Sequence, residues 1–309
     1  MTDAQKGILA IVGASAIWGL SPIYYKQLPD VPAHEILAHR ALWSFVFFGG
    51  ILLLQGRSGE IFGAFSGWRR AGMLVAASLM ISINWFLFIV AIQIGRTTET
   101  SLGYYIYPLA AVVIGWFWFG ERLGRVQWVA IVLASFAVIV LTIGLGVAPW
   151  ISLILAISFA LYGVIKKQLP LGPVVSVTCE ILIFLPIALT ILLMIHRNGE
   201  GHFGVTTWDS VLLVASGPIT AMPLILFTFG ARRIAMSTVG LLLYINPTLQ
   251  FFCAVIIFSE PFSRWHAISF SMIWGALLIY SIAARKASIA GSGGATTVRK
   301  PASSASTKP

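Results

Sequence analysis

The sequence predicts an all-α integral membrane protein, with ten transmembrane helices arranged as two inverted five-helix repeats. Three observations carry this expectation. Of the 309 residues, 58% are hydrophobic and only 10% are charged, against about 25% charged in a soluble domain. Ten apolar windows are long enough to cross a bilayer, and Lys and Arg alternate between the segments that join them. Two motifs recur along the chain at nearly the same offset.

The composition also excludes. A mean hydropathy of +0.92 argues against a cytosolic enzyme, an excreted domain or a disordered chain. The net charge of +10 does not indicate nucleic acid, because the basic residues sit at the ends of apolar segments and in the C-terminal tail. Cys179 and Cys253 both lie inside apolar runs, so neither a disulfide framework nor a cysteine metal site is expected.

A spanning helix needs about 20 mostly apolar residues. The windows are 7–25, 35–54, 71–93, 100–119, 126–145, 149–165, 174–195, 209–229, 237–258 and 265–284. The first is read as an uncleaved helix, since its small residues Ala14, Ser15 and Ala16 lie within the apolar run. The second begins with Glu35, His39 and Arg40, and the sixth is short. A β-barrel is excluded because its strands would alternate apolar and polar residues.

With the N-terminus (1–6) in the cytoplasm, the inside segments hold 15 Lys and Arg and the outside segments hold 5, namely Lys26, Arg40, Arg96, Arg197 and Arg264. That asymmetry places both termini in the cytoplasm. Trp68, Trp128, Trp150, Trp208 and Trp265 fall near window ends, as interfacial residues do. Residues 285–309 contain five basic residues and no acid or aromatic, and read as a disordered cytoplasmic tail resting on anionic lipid.

Lys26-Gln27-Leu28-Pro29 recurs as Lys167-Gln168-Leu169-Pro170 at an offset of 141, with Pro32 and Pro173 following in each case. Tyr105-Ile106-Tyr107-Pro108 matches Tyr244-Ile245-Asn246-Pro247 at an offset of 139, and Glu121 matches Glu260 at that offset. Residues 7–145 and 149–284 are therefore two copies of a five-helix unit. Five is odd, so the second copy enters the membrane from the opposite side. Inverted repeats are a device of secondary transporters, in which two halves rock around a midplane site.

Ser15-Ala16-Ile17-Trp18-Gly19-Leu20-Ser21-Pro22 resembles the first-helix signature of EamA domains in the drug/metabolite transporter superfamily. Glu35-Ile36-Leu37-Ala38-His39-Arg40-Ala41-Leu42-Trp43-Ser44, Ile83-Asn84-Trp85, Ser101-Leu102-Gly103-Tyr104-Tyr105, Ser158-Phe159-Ala160-Leu161-Tyr162-Gly163 and Tyr244-Ile245-Asn246-Pro247-Thr248-Leu249-Gln250 narrow the resemblance to the chloramphenicol-sensitive, RarD-type subfamily. It covers residues 7–284 and implies a ten-helix inner-membrane transporter without specifying a cargo.

Charge inside a membrane helix is costly and marks function by default. Glu35 and His39 share a helix face, while Arg40 turns about 100° away. Glu35 and Arg40 are expected to satisfy each other near the outer interface. Counted from Pro32 and Pro173, His39 and Glu180 are repeat-equivalent, so they form the candidate proton-coupling pair, with Glu35 and Arg40 as further polar residues. Apolar surroundings would favour an uncharged Glu180. Glu121 and Glu260 are expected at helix ends, in salt bridges with Arg122 or Arg264.

Prolines 108 and 247 free carbonyls one turn earlier, at Tyr104 and Leu243. With Asn84, Trp85, Tyr104, Tyr105, Tyr107, Tyr244, Asn246 and Gln250 they suit an aromatic cavity with a few hydrogen-bonding groups. Trp18 and Tyr162, in segments that carry the resemblance, join that set. His34 and His39 are five apart, about 140° around a helix, which rules out the metalloprotease pattern. No catalytic residue, metal or cofactor is expected. The expected partners are a small-molecule substrate and the lipid bilayer, with no nucleic acid; monomer and homodimer both remain open. An intramembrane enzyme would need a nucleophile–base pair or metal cluster, and a channel would need rings of polar residues.

Overall fold

The computed structural model describes residues 1–120, 123–234 and 236–293. Among the described residues, ten helices are long and apolar enough to cross a membrane. They are α1 (Asp3–Tyr25), α2 (Ala33–Leu54), α4 (Trp68–Gln93), α5 (Thr97–Phe119), α6 (Arg125–Leu145), α7 (Trp150–Gln168), α8 (Pro173–Arg197), α9 (Thr207–Ala231), the broken pair α10 (Met236–Leu243) and α11 (Ile245–Phe252), and α12 (Arg264–Gly293). A short helix, α3 (Gly59–Ala64), lies in the loop between α2 and α4. Each predicted window falls on one span.

Local chemistry sets the ends. Thr2 opens α1 with a capping box: its hydroxyl accepts from the Gln5 amide, and the Gln5 side chain accepts from the Thr2 amide. Pro173 occupies the first turn of α8, where its missing N–H costs nothing. Gly95 closes α4 at φ +72, so that Arg96 N–H reaches the Ala91 carbonyl and Gly95 N–H the Ile92 carbonyl, a Schellman turn that leads directly into α5. At the start of α3, Arg57 forks onto Glu60 at 2.7 and 3.0 Å, and this hydrogen bond holds the Glu60 carboxyl below the usual carboxylate range.

The ninth span departs from a regular helix. Pro247 has no N–H, α10 stops at Leu243, and Tyr244 N–H bonds the Leu241 carbonyl instead. Cys253–Ile257 then form a π turn, and Ser259, at φ +53, reverses the chain toward Glu260. The last helix also differs from expectation. It continues to Gly293, nine residues beyond the window that ended at 284, because Ala283, Ala284, Ala287 and Ala290 favour helix. The remainder of the expected tail, 294–309, and Glu121 with Arg122 lie outside the described residues.

The principal helix packings come in matched sets. Exchanging α1, α2, α4, α5 and α6 for α7, α8, α9, α10–α11 and α12 maps α5–α7 onto α1–α11, α1–α9 onto α4–α7, and α2–α9 onto α4–α8. The same exchange leaves α2–α8, α6–α12 and α5–α11 unchanged. Buried clusters form where the halves meet: Tyr25, Leu28, Ile36 and Ile92 pack with Ile151, Leu155 and Leu213. Val129, Val132, Phe136, Ile187, Leu193 and Leu278 are exposed, an arrangement suited to lipid and not to water.

Close packing of the halves relies on small residues. A Cβ on Gly217 of α9 would stand 2.6 Å from the backbone carbon of Trp43 on α2. Gly49, also in α2, has nothing within 4 Å of that position. Gly217→Ala is expected to cost about 1–3 kcal/mol by overpacking, whereas Gly49→Ala should stabilise by about 0.5–1 kcal/mol. Thermal unfolding in detergent checks this, and similar melting temperatures for the two variants would refute the packing.

Candidate functional site

A cavity of about 1100 Å³ lies between the halves. It draws lining residues from α1, α2, α4 and α5 on one side and α7 to α12 on the other. Its wall is aromatic: Trp18, Trp85, Tyr104, Tyr107, Phe159, Tyr162, Phe227 and Tyr244. It runs from Tyr25 and Arg40 to Leu171 in the α7–α8 loop. Since consecutive spans alternate in direction, that loop lies on the face that carries the N-terminus.

The structure sorts the expected cavity residues by helix face. Tyr104, Tyr107 and Pro108, spaced three and four apart, line the space, with Tyr104 and Tyr107 each edge-on to Phe159. Trp18, Trp85, Tyr162, Tyr244, Asn246 and Gln250 line it as well. Tyr105, one residue on, turns away into a cluster with Phe270 and Trp274, and its hydroxyl shares a 2.7 Å hydrogen bond with Thr248. Asn84 is fully buried behind the wall. Its amide donates to the Leu155 carbonyl and the Ser158 hydroxyl, both at 3.0 Å, and its oxygen accepts from Tyr104 at 2.9 Å. Asn84 therefore positions Tyr104 and leaves the lining to it.

Polar contacts bridge the halves at the broken span. Ser101 donates to the Pro247 carbonyl at 2.8 Å, and Thr100 donates to Gln250 at 3.1 Å. Gln250 in turn donates to Asn246 at 2.8 Å.

The charged residues separate into two groups. Glu35 does not meet Arg40. Its carboxylate accepts from the backbone N–H of His202 at 2.8 Å and lies 2.9 Å from the His202 Nδ1, which ties the α8–α9 loop to α2. His39 stacks on Phe203 of the same loop, with ring centres 4.9 Å apart. Glu260 does not pair with Arg264. It caps the N-terminus of α5, accepting from the amides of Thr97 and Thr98 at 2.6 and 2.7 Å and from the Thr98 hydroxyl at 2.8 Å. Both carboxylates fasten one half to the other on the face opposite the N-terminus.

Arg40 lines the cavity, and Glu180 is buried beside it, bonded to the lining residues Tyr162 and Lys166. Glu180 accepts from Lys166 at 2.6 Å, Ser176 at 2.7 Å and Tyr162 at 3.0 Å. It is an ion-paired acid and not the isolated one expected, and its partners differ from those of His39. Arg40 donates to the Tyr25 hydroxyl at 2.8 Å and lies 4.0 Å over the Trp85 ring. Lys166 escaped the sequence reading because the sixth window ended at 165, whereas α7 runs to Gln168. The repeat held a signal: Lys166 is equivalent to Tyr25 at the offset of 141. Each binds a charged side chain of the next spanning helix. Among the described residues no group of three or more His, Cys, Asp or Glu could hold a metal.

The EamA-like transporter family matches residues 5–143. A Vibrio cholerae protein named as an uncharacterized transporter is 37% identical over 286 residues, 92% of this chain and 95% of its own. Protein RarD of Streptomyces exfoliatus is 42% identical over 281 residues, 90% of this chain and 88% of its own. Protein RarD of Escherichia coli K12 is 36% identical over 279 residues, 90% and 94% respectively. A solved crystal structure with 18% sequence identity superposes at a TM-score of 0.61 over 91% of this chain and 99% of its own, a likeness of fold.

The Glu180 side chain is 2% exposed and that of Lys166 23%. Lys166→Met leaves a buried carboxylate without its cation and is expected to cost about 3 kcal/mol. The double variant Lys166→Met/Glu180→Leu should recover most of that loss. Melting temperatures in detergent decide the matter, and a double variant no more stable than the single one would contradict the pairing.

Proposed function

The chain belongs to the EamA-like transporter family, in its RarD-type branch, and we propose that it is a secondary transporter of a small organic solute working by alternating access. The observation that carries this reading is the cavity between the two halves of the chain, which the Glu35–His202 and Glu260–α5 contacts join on the face opposite the N-terminus. Two halves of the same design can exchange conformations, so a state with the opposite face open uses the same packings with the roles of the halves reversed. The membrane is the inner membrane, with both termini cytoplasmic, in keeping with the distribution of Lys and Arg.

At about 1100 Å³ the cavity is slightly larger than most that hold small organic ligands, about 300–1,000 Å³. Its aromatic wall would take the apolar body of an amphipathic metabolite or drug, and Asn246, Gln250 and Tyr107 would orient polar groups. The sequence has no G-x-x-x-x-G-K-[ST] loop, so a gradient supplies the energy, either of protons or of the solute. Where a proton is used, Glu180 is the acid placed to carry it, since its partners Tyr162 and Lys166 line the cavity. Glu35 and Glu260 are committed elsewhere.

In proteoliposomes, uptake of a solute found by thermal-shift screening should saturate and accelerate with unlabelled solute inside. Uptake that rises linearly with concentration indicates a channel, and chemical conversion of the solute indicates an enzyme. Tyr107 lines the cavity and its hydroxyl has no hydrogen-bond partner among the described residues. Tyr107→Phe is therefore expected to weaken apparent affinity by about 2- to 10-fold, the worth of one hydrogen bond, with the melting temperature unchanged.

A further inference from the structure

Arg40 is the buried charge whose partner is missing. It is 6% exposed and it lines the cavity. Among the described residues the Nε atom has no hydrogen-bond partner, and the guanidinium's one protein acceptor is the neutral Tyr25 hydroxyl. Among the described residues no carboxylate lies within salt-bridge distance of it, because the nearby Glu35 is taken by His202. The other charged group of the wall, Lys166, is neutralised by Glu180. The cavity thus carries one uncompensated positive charge.

We propose that the cargo is an organic anion, a small molecule with one carboxylate or similar singly charged group on a flat apolar body, and that Arg40 receives the anionic group. The proposal rests on the transporter reading above and specifies its substrate class. A guanidinium inside a membrane protein is costly unless it is paired, and a cargo that pairs it removes that cost on binding. The guanidinium is planar and presents a fork suited to bidentate contact with a carboxylate. Stacking on Trp85 at 4.0 Å and the bond to Tyr25 fix its plane, so the fork is preorganised. Next to it, Trp85, Phe88 and Tyr104 line the cavity, the last two rings edge-on to each other, and offer aromatic surface to the apolar body of the molecule. A cation would meet Arg40 with like charge. The ammonium of a zwitterion would have to compete with Lys166 for Glu180.

The test is a thermal-shift panel on the purified full-length protein, using aromatic monocarboxylates matched with their neutral amides and their amine counterparts. 3-Phenylpropionate, 3-phenylpropionamide and 3-phenylpropylamine form one such triplet. Carboxylates are expected to shift the wild-type melting curve at concentrations at which the amides and amines do not. Arg40→Met should weaken the carboxylate response about 10-fold or more, while the ligand-free protein melts at or above the wild-type temperature, since an unpaired buried charge has been removed. A merely structural arginine would instead lower that temperature. Arg40→Lys, which keeps the charge and loses the fork, should fall between the two in affinity. A panel in which no carboxylate binds, or in which amides bind as well as carboxylates, overturns the proposal. So does an Arg40→Met protein that keeps the preference. If a neutral or cationic solute then shows saturable counterflow, the anion assignment fails while the transporter reading stands. If no solute shows counterflow, the transporter reading itself fails.

Discussion

A charge within a bilayer has to be met by something other than water, and the arrangement of this protein follows from how each one is met. Glu35 is met by His202, Glu260 by the amides that open α5, and Glu180 by Lys166, Ser176 and Tyr162. In the first two cases donor and acceptor come from different halves. The requirement to satisfy a buried carboxylate therefore also draws the halves together, and it does so on the face away from the N-terminus. Of the charged residues described in the cavity wall, Arg40 is left to a neutral hydroxyl and an aromatic ring.

The same constraint on the backbone explains the irregular segments. Pro247 forfeits a hydrogen bond and the helix breaks before it, where Leu243 and Tyr244 line the cavity; just beyond the break, Ser101 and Thr100 of α5 donate to the Pro247 carbonyl and the Gln250 side chain. The π turn at Cys253–Ile257 and the left-handed Ser259 then aim Glu260 at the N-terminus of α5. Strain at the end of one span thereby positions a cap for another. Elsewhere, glycine at 217 allows α2 and α9 to approach at backbone distance, which brings Arg40 and the aromatic wall of the opposite half around one space.

Depth along the helices was legible in the sequence; direction around them was only partly so. Continuous apolar runs located all ten spans. Tyr104 and Tyr107 were separable from Tyr105 by helical periodicity alone, yet Asn84 looked like lining until its three hydrogen bonds placed it behind Tyr104. Partners from distant segments were not legible. His202 sits in a loop 167 residues from Glu35, and Glu260 reaches amides 163 and 162 residues away. Nothing local distinguishes such a carboxylate from one that pairs with the nearest arginine. Lys166 was counted with the basic residues of the inside segments because its helix was drawn three residues too short.

The account depends on the cavity being reached from each face in turn. Thr220 is the position at which to ask, since it lines the cavity in the middle of α9 and is otherwise buried. A single cysteine there, in a background with Cys179 and Cys253 replaced by alanine, can be probed with an impermeant thiol reagent in membrane vesicles of both orientations. Without substrate the account predicts labelling from the face that carries the N-terminus, and during substrate exchange it predicts labelling from both faces. Labelling from one face only under every condition would contradict it.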